Sequence, residues 1–168
     1  TFRAYAINAY GTSAASDVTS AVTPAGSRGL FMGGLNSNVI QFIQIASTGD
    51  ATDFGDLTTI SGGGGAVGSS TRAVRGGGHN DTTSYQNILD YVEFASTGNA
   101  TDFGDLTGVL GEGLGSCGSS TRGIFAGGYG SGATSDKIYY ITIASTGNST
   151  EFGDMHYYKY GMAGGMSN

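Results

Sequence analysis

The sequence predicts an all-β fold built from repeated antiparallel units, on three observations. Glycine takes 32 of 168 positions and proline one, so tight turns and close backbone approaches shape the chain. The apolar residues come in short runs instead of helix-length stretches. Blocks also recur at a constant step of 49 residues: Ala46-Ser47-Thr48-Gly49, Ala95-Ser96-Thr97-Gly98 and Ala144-Ser145-Thr146-Gly147. Seven residues after each alanine stand Asp53-Phe54-Gly55-Asp56, Asp102-Phe103-Gly104-Asp105 and Glu151-Phe152-Gly153-Asp154. Glycine without a three-residue period excludes collagen, and 11% aromatic content excludes a flexible Gly/Ser linker.

At the start of the chain, Phe2, Ala4 and Ala6 alternate with Arg3, Tyr5 and Ile7 as a strand requires. The run from Phe2 to Ser13 and the segment 16–24 resemble the last two strands of a fibronectin type III domain. Such a sandwich needs about seven strands, so residues 1–24 are expected to close a domain whose other strands lie upstream in a longer polypeptide. The alternative is an edge strand of the repeat array.

The repeats fill residues 27–168, divided 27–69, 70–119 and 120–168, and each parses into strands a to d. In the middle unit these are 65–69, 72–76, 88–96 and 100–106. A Ser-Ser-Thr turn joins a to b. Thr97-Gly98-Asn99 joins c to d, its glycine and asparagine expected to supply positive φ. Strand c is apolar on both faces, Ile40 and Phe42 beside Val39 and Ile43, then Leu89 and Tyr91 beside Ile88 and Val92, so both faces are expected to be covered. The unit has the length of a β-propeller blade. Strands run b-c-d, a-b-c-d, a-b-c-d and a last a at 161–168, about three blades' worth, whereas propellers have roughly four to eight. Either more repeats follow on the same chain, which ranks first, or several chains share one ring; the last strand a could instead complete the first blade.

Upstream of each block stands an arginine followed by paired glycines: Arg28 with Gly33-Gly34, Arg72 with Gly77-Gly78, Arg122 with Gly127-Gly128. Arginine, apolar strand, Gly-Gly, variable loop, apolar strand, then an aromatic followed by leucine resembles the kelch repeat over residues 27–168. The chain lacks that family's tryptophan and carries little charge. The Ser-Ser-Thr-Arg-Gly and Asp-Phe-Gly-Asp-Leu repeats also resemble those of tailed-bacteriophage virion proteins, often found beside fibronectin-like modules. That resemblance implies a virion location, with a cell surface as the alternative.

A net charge of −6 disfavours phosphate backbones and anionic membranes, so neither nucleic acid nor membrane insertion is expected. Apolar runs fall short of the roughly 20 residues that span a bilayer. Cys117 is the sole cysteine and is expected in a small core slot, although some kelch propellers are copper radical oxidases that use tyrosine, cysteine and histidine. His79 and His156 fall in different parts of the repeat and are expected in solvated loops. Asp50, Asp53 and Asp56 could surround calcium, but Asp50 becomes Asn99 and Asn148 in the copies, so capping of the turn is preferred and no cofactor is expected. Arg28, Arg72 and Arg122 are expected to tie neighbouring units through carboxylates or carbonyls, with Asp56, Asp105 and Asp154 as candidate partners. Phe54, Phe103 and Phe152 are expected at equivalent buried sites between units. The Gly-Gly pairs read as backbone features, since no lysine or helix follows.

Strand parity puts the b-c and d-a connections on one side of each unit and the short turns on the other. The b-c connection varies, spanning residues 35–38, 78–87 and 129–136, while the turns hardly change. The diversified side carries His79, Asn80, Asp81, Tyr85, Tyr129 and Asp136, where recognition is expected. The resulting expectation is a non-enzymatic structural or adhesive component of a virion, a tail fibre or tail-associated protein, meeting host-surface glycan or neighbouring virion subunits. A bacterial surface or secreted adhesion module and a glycan-active enzyme are the alternatives.

Overall fold

Short apolar runs bounded by glycine fold into strands. A computed structural model describes residues 28–34, 36–80, 84–108, 111–130, 132–158 and 161, with the backbone of 7–8 and 11–12, and its strands all pair antiparallel. No helix of the described residues is long and apolar enough to cross a membrane. Strands β1 (Ile7–Asn8) and β2 (Gly11–Thr12) form a small hairpin. The chain therefore reverses between Asn8 and Gly11, within the stretch expected to be one continuous strand.

The first unit is a three-stranded sheet of β3 (Arg28–Gly34), β4 (Ser37–Gln44) and β5 (Thr52–Asp56) in that order. The second is four-stranded: β6 (Gly65–Gly68), β7 (Arg72–Gly76), β8 (Ile88–Glu93) and β9 (Thr101–Asp105). The third repeats it with β10 (Gly115–Gly118), β11 (Arg122–Ala126), β14 (Lys137–Thr142) and β15 (Thr150–Asp154). Its b-c connection adds a hairpin of β12 (Tyr129–Gly130) and β13 (Ala133–Thr134). Strand c ends earlier than expected, at Glu93 in the second unit. In the first and third units turns close at once behind it, Ser47 N–H donating to Gln44 O (3.2 Å) and Ser145 N–H to Thr142 O (3.1 Å). The strand-a pattern at 161–168 lies outside the described residues but for Gly161.

Sheet packs on sheet. Leu30, Met32, Ile40, Phe42, Phe54 and Leu57 of the first unit meet Ala73, Val92 and Phe94 of the second. On the other side, Val67, Val74, Leu89, Phe103 and Leu106 meet Phe125, Tyr139, Ile141 and Ile143 of the third. Strand c of the middle unit is thus covered on both faces. The two strands a approach each other, Ser116 Oγ donating to Ala66 O (2.9 Å) and accepting from Ala66 N–H (3.2 Å).

Both junctions are built by one device. Strands c and d slip register at Ile40/Gln41 and at Leu89/Asp90, leaving Phe54 and Phe103 as the extra, bulged residues. A bulged residue does not spend its carbonyl on the ladder, and the turn of the next unit takes it: Gly98 N–H donates to Phe54 O, and Gly147 N–H to Phe103 O, both 2.7 Å. Ala100 N–H to Asp56 O (2.7 Å) and Ser149 N–H to Asp105 O (2.8 Å) extend the seam. The turn stands so close that a Cβ on Gly55 would collide with the Gly98 carbonyl, and one on Gly104 with Gly147 at 2.6 Å.

Several expected roles change here. Asn99 does not adopt positive φ; among the described residues only Asn36 does so without being glycine. Asn99 Oδ1 instead accepts from Asp56 N–H (3.1 Å), and Asn148 Oδ1 from Asp105 N–H (3.0 Å), across the junctions. Arg28 and Arg72 tie neighbouring units through carbonyls, as one of the two expectations had it, Arg28 Nη1 donating to Phe94 O (2.6 Å) and Arg72 Nη1 to Ile143 O (3.1 Å), and the carboxylate that Arg72 pairs with is Glu93 of its own unit (2.7 Å) instead of a proposed aspartate. Each arginine also stacks on an aromatic ring of its own strand c: Arg28 on Phe42, Arg72 on Tyr91 and Arg122 on Tyr140. Asp154 pairs with Lys137 at 2.8 Å. Phe54 and Phe103 are each 2% exposed, but Phe152 is 56% exposed, since among the described residues no unit packs on the outer side of the third. Cys117, at the position of buried Val67, is half-buried.

Candidate functional site

The Gly-Gly pairs open the variable loops. Gly77, Gly78, Gly127 and Gly128 all have positive φ, which lets the chain leave strand b sharply. Their loops close by main-chain bonds, Gln86 N–H to Gly78 O (2.8 Å) and Ser135 N–H to Gly128 O (2.9 Å). The d-a connections lie against them. Gly62 and His79 exchange main-chain bonds of 2.8 and 2.9 Å, and Glu112 and Tyr129 exchange bonds of 3.0 and 2.9 Å. The two d-a connections join through Gly113 N–H to Gly63 O (3.0 Å). The b-c and d-a connections therefore share one side.

That side gathers His79, Tyr85, Glu112 and Tyr129. His79 Nδ1 lies 3.3 Å from Glu112 Oε2 but is not aligned for a hydrogen bond. The rings of Tyr85 and Tyr129 meet edge to face at 5.6 Å. Burial, then Tyr129, then Glu112 push the Tyr85 hydroxyl above its usual range. Tyr85 is wedged in place, for a Cβ on Gly111 would strike its ring. It is thus a support of the loop face as well as part of its surface.

Asn80 is used locally: its Oδ1 accepts from Ser84 N–H at 3.1 Å, folding the loop on itself. Asp81 lies outside the described residues. Asp136 sits apart from the cluster at the start of strand c, where its carbonyl accepts from Met155 N–H (2.6 Å). His156 is exposed and stacks with Tyr157. Glu112 escaped the sequence reading, although the copies differ there: glycine stands at 62 where 112 is glutamate. Among the described residues no three His, Cys, Asp or Glu side chains are grouped so that they could hold a metal ion.

No protein-family model matches the chain, and no curated protein matches it.

Beneath the loops lie two buried charged side chains that the pattern had not flagged. Arg75 and Asp90 face each other across β7 and β8 and are 3% and 1% exposed. Burial lowers the Arg75 guanidinium to about 10, partly offset by Asp90, so it stays charged at neutral pH. Burial raises the Asp90 carboxyl, while bonds from Thr58 Oγ1 (2.7 Å) and Thr58 N–H (3.3 Å), then Arg75, pull it back. Thr58 belongs to the segment after strand d of the first unit, so its bonds to Asp90 tie two units. Two clefts of about 160 and 100 Å³ lie on the opposite, uniform side, at the turns around Gly98 and Gly49.

Proposed function

We propose that the chain is a non-enzymatic adhesive module, its units being blades of a kelch-like β-propeller in a virion tail fibre or tail-associated protein. Its loop face would meet glycan on the host surface. One observation carries the binding reading: His79, Tyr85, Glu112 and Tyr129, drawn from three different connections, come together on the length-variable side. Phenol rings offer flat faces to sugar C–H groups, and the imidazole, carboxylate and hydroxyls offer donors and acceptors. The uniform side is occupied with joining units.

The test is binding to host cells and to a glycan array. Glu112→Gln and Tyr129→Ala are expected to weaken attachment while Glu112→Gln leaves thermal unfolding unchanged. Attachment that survives both substitutions and is lost on altering the turn at 97–99 would contradict the reading. Attachment to a purified virion subunit but not to cells would move the partner to a neighbouring subunit.

A further inference from the structure

The loop-side cluster stands on a repeated frame with unrepeated side chains. Each residue that follows a Gly-Gly pair in the second and third units exchanges main-chain bonds with a residue of a d-a connection, His79 with Gly62 and Tyr129 with Glu112. Equivalent positions thus carry imidazole and phenol in the b-c loops, and glycine and carboxylate in the d-a connections. The main-chain bonds form whatever the side chains are, so the fold does not dictate this choice of chemistry.

Gly63 keeps a gap between His79 and Glu112. It is exposed, and a Cβ on it would stand 3.0 Å from Glu112 Cβ and 3.4 Å from His79 Nδ1. Across the gap His79 Nδ1 has no hydrogen-bond partner, although it is shielded from solvent and lies 3.3 Å from Glu112 Oε2. The two side chains are 21% and 32% exposed, so the charge of the carboxylate is less screened than on an open surface. The rings of Tyr85 and Tyr129 bound the same corner, and the rise of the Tyr85 hydroxyl, due after burial to Tyr129 and Glu112, reflects how near the phenol oxygens and the carboxylate stand. The cations around it are turned elsewhere. Lys137 pairs with Glu151 at 2.9 Å and Asp154 at 2.8 Å, and the buried Arg75 guanidinium lies against Gly64 and Gly78. Acceptors gathered around a carboxylate suit a cation that only donates. An ammonium group has three N–H donors and no acceptor, and the faces of aromatic rings attract it as well.

We propose that this corner binds a saccharide through a free amino group, as an unacetylated amino sugar carries. Glu112 is the counter-ion, His79 accepts at Nδ1, and the two tyrosine rings line the sugar. The proposal rests on the glycan reading and narrows it. An N-acetylated amine keeps one N–H and no charge, so it forfeits the charge-assisted bonds, which are roughly twice as strong as neutral ones.

Calorimetric titration of the 168-residue chain tests it, with a short oligomer of glucosamine and the same oligomer fully N-acetylated as probes, at neutral pH and about 0.15 M salt. The amino oligomer should bind about tenfold more tightly, from the difference between charged and neutral hydrogen bonds. Glu112→Gln, folded by circular dichroism, should erase the preference and leave both oligomers bound alike, while Tyr129→Ala should weaken both. Asp50→Asn, exposed on the opposite side, should change neither. An acetylated oligomer bound as tightly as the amino one would overturn the proposal and leave the glycan reading in place. A preference that survives Glu112→Gln would also overturn it, as would one that Asp50→Asn reduces equally, the mark of diffuse attraction to an acidic protein. Binding of neither oligomer overturns it too. The glycan reading then stands if other glycans on an array are bound and are lost on Tyr129→Ala, and falls if the array stays blank.

Discussion

Asn99 and Asn148 show how far a residue's role can lie from its local pattern. Both stand in a glycine turn, which suggests backbone conformation, yet both spend their side chains on the amide of an aspartate in the preceding unit. Removing one such bond costs about 1 kcal/mol. Asn99→Ala should therefore lower the urea midpoint by a corresponding amount, and Asn99→Asp, which still accepts, by less. Arg75 and Asp90 are buried cross-strand neighbours whose charges offset part of each other's burial cost. Arg75→Leu is expected to raise the Asp90 carboxyl further and so to destabilise more at neutral than at acid pH. Asp90 is raised above 3.8 by burial, so the folded state holds its proton more tightly than the unfolded chain, and its contribution to stability falls as pH rises through that window. Without Arg75 the folded value rises further, so the penalty should shrink on acidification as Asp90 becomes neutral. A penalty equal at acid and neutral pH, measured by denaturant unfolding, would refute this account of the pair.

At the scale of elements, strand b of the middle unit lies where its sequence put it, residues 72–76, because arginine and Gly-Gly bracket it. The bulge in strand d was not foreseen, although glycine inside a strand is a known sign of one. It decides the fate of Phe54 and Phe103, since it turns the main chain toward the next unit, while among the described residues none packs against Phe152. Phe103→Ala should cost about 3–5 kcal/mol. Phe152→Ala should cost no more than about 0.5 kcal/mol, as for other exposed positions, when both are measured by thermal or chemical unfolding. Equal losses would mean that Phe152 is buried in the single chain. Residues 1–24 were less legible, for the hairpin of Ile7–Asn8 with Gly11–Thr12 interrupts a stretch whose alternation alone favoured one strand.

For the whole molecule, repeat length and strand parity sufficed to order the strands within each sheet and to place the variable connections together. They could not say which connections touch. His79 and Tyr85 belong to the second unit, Glu112 to the link between units and Tyr129 to the third, and their meeting follows from how sheet packs on sheet. The central claim is that one junction, a turn seated on a bulged strand, holds successive units together. Amide hydrogen exchange of the chain measures it most directly. The amides of Gly98, Ala100, Gly147 and Ser149 should exchange as slowly as strand amides such as that of Val74, while those of Gly49 and Ala51, in the same turn of the first unit, exchange fast. Fast exchange at Gly98 and Gly147, matching that at Gly49, would contradict the account.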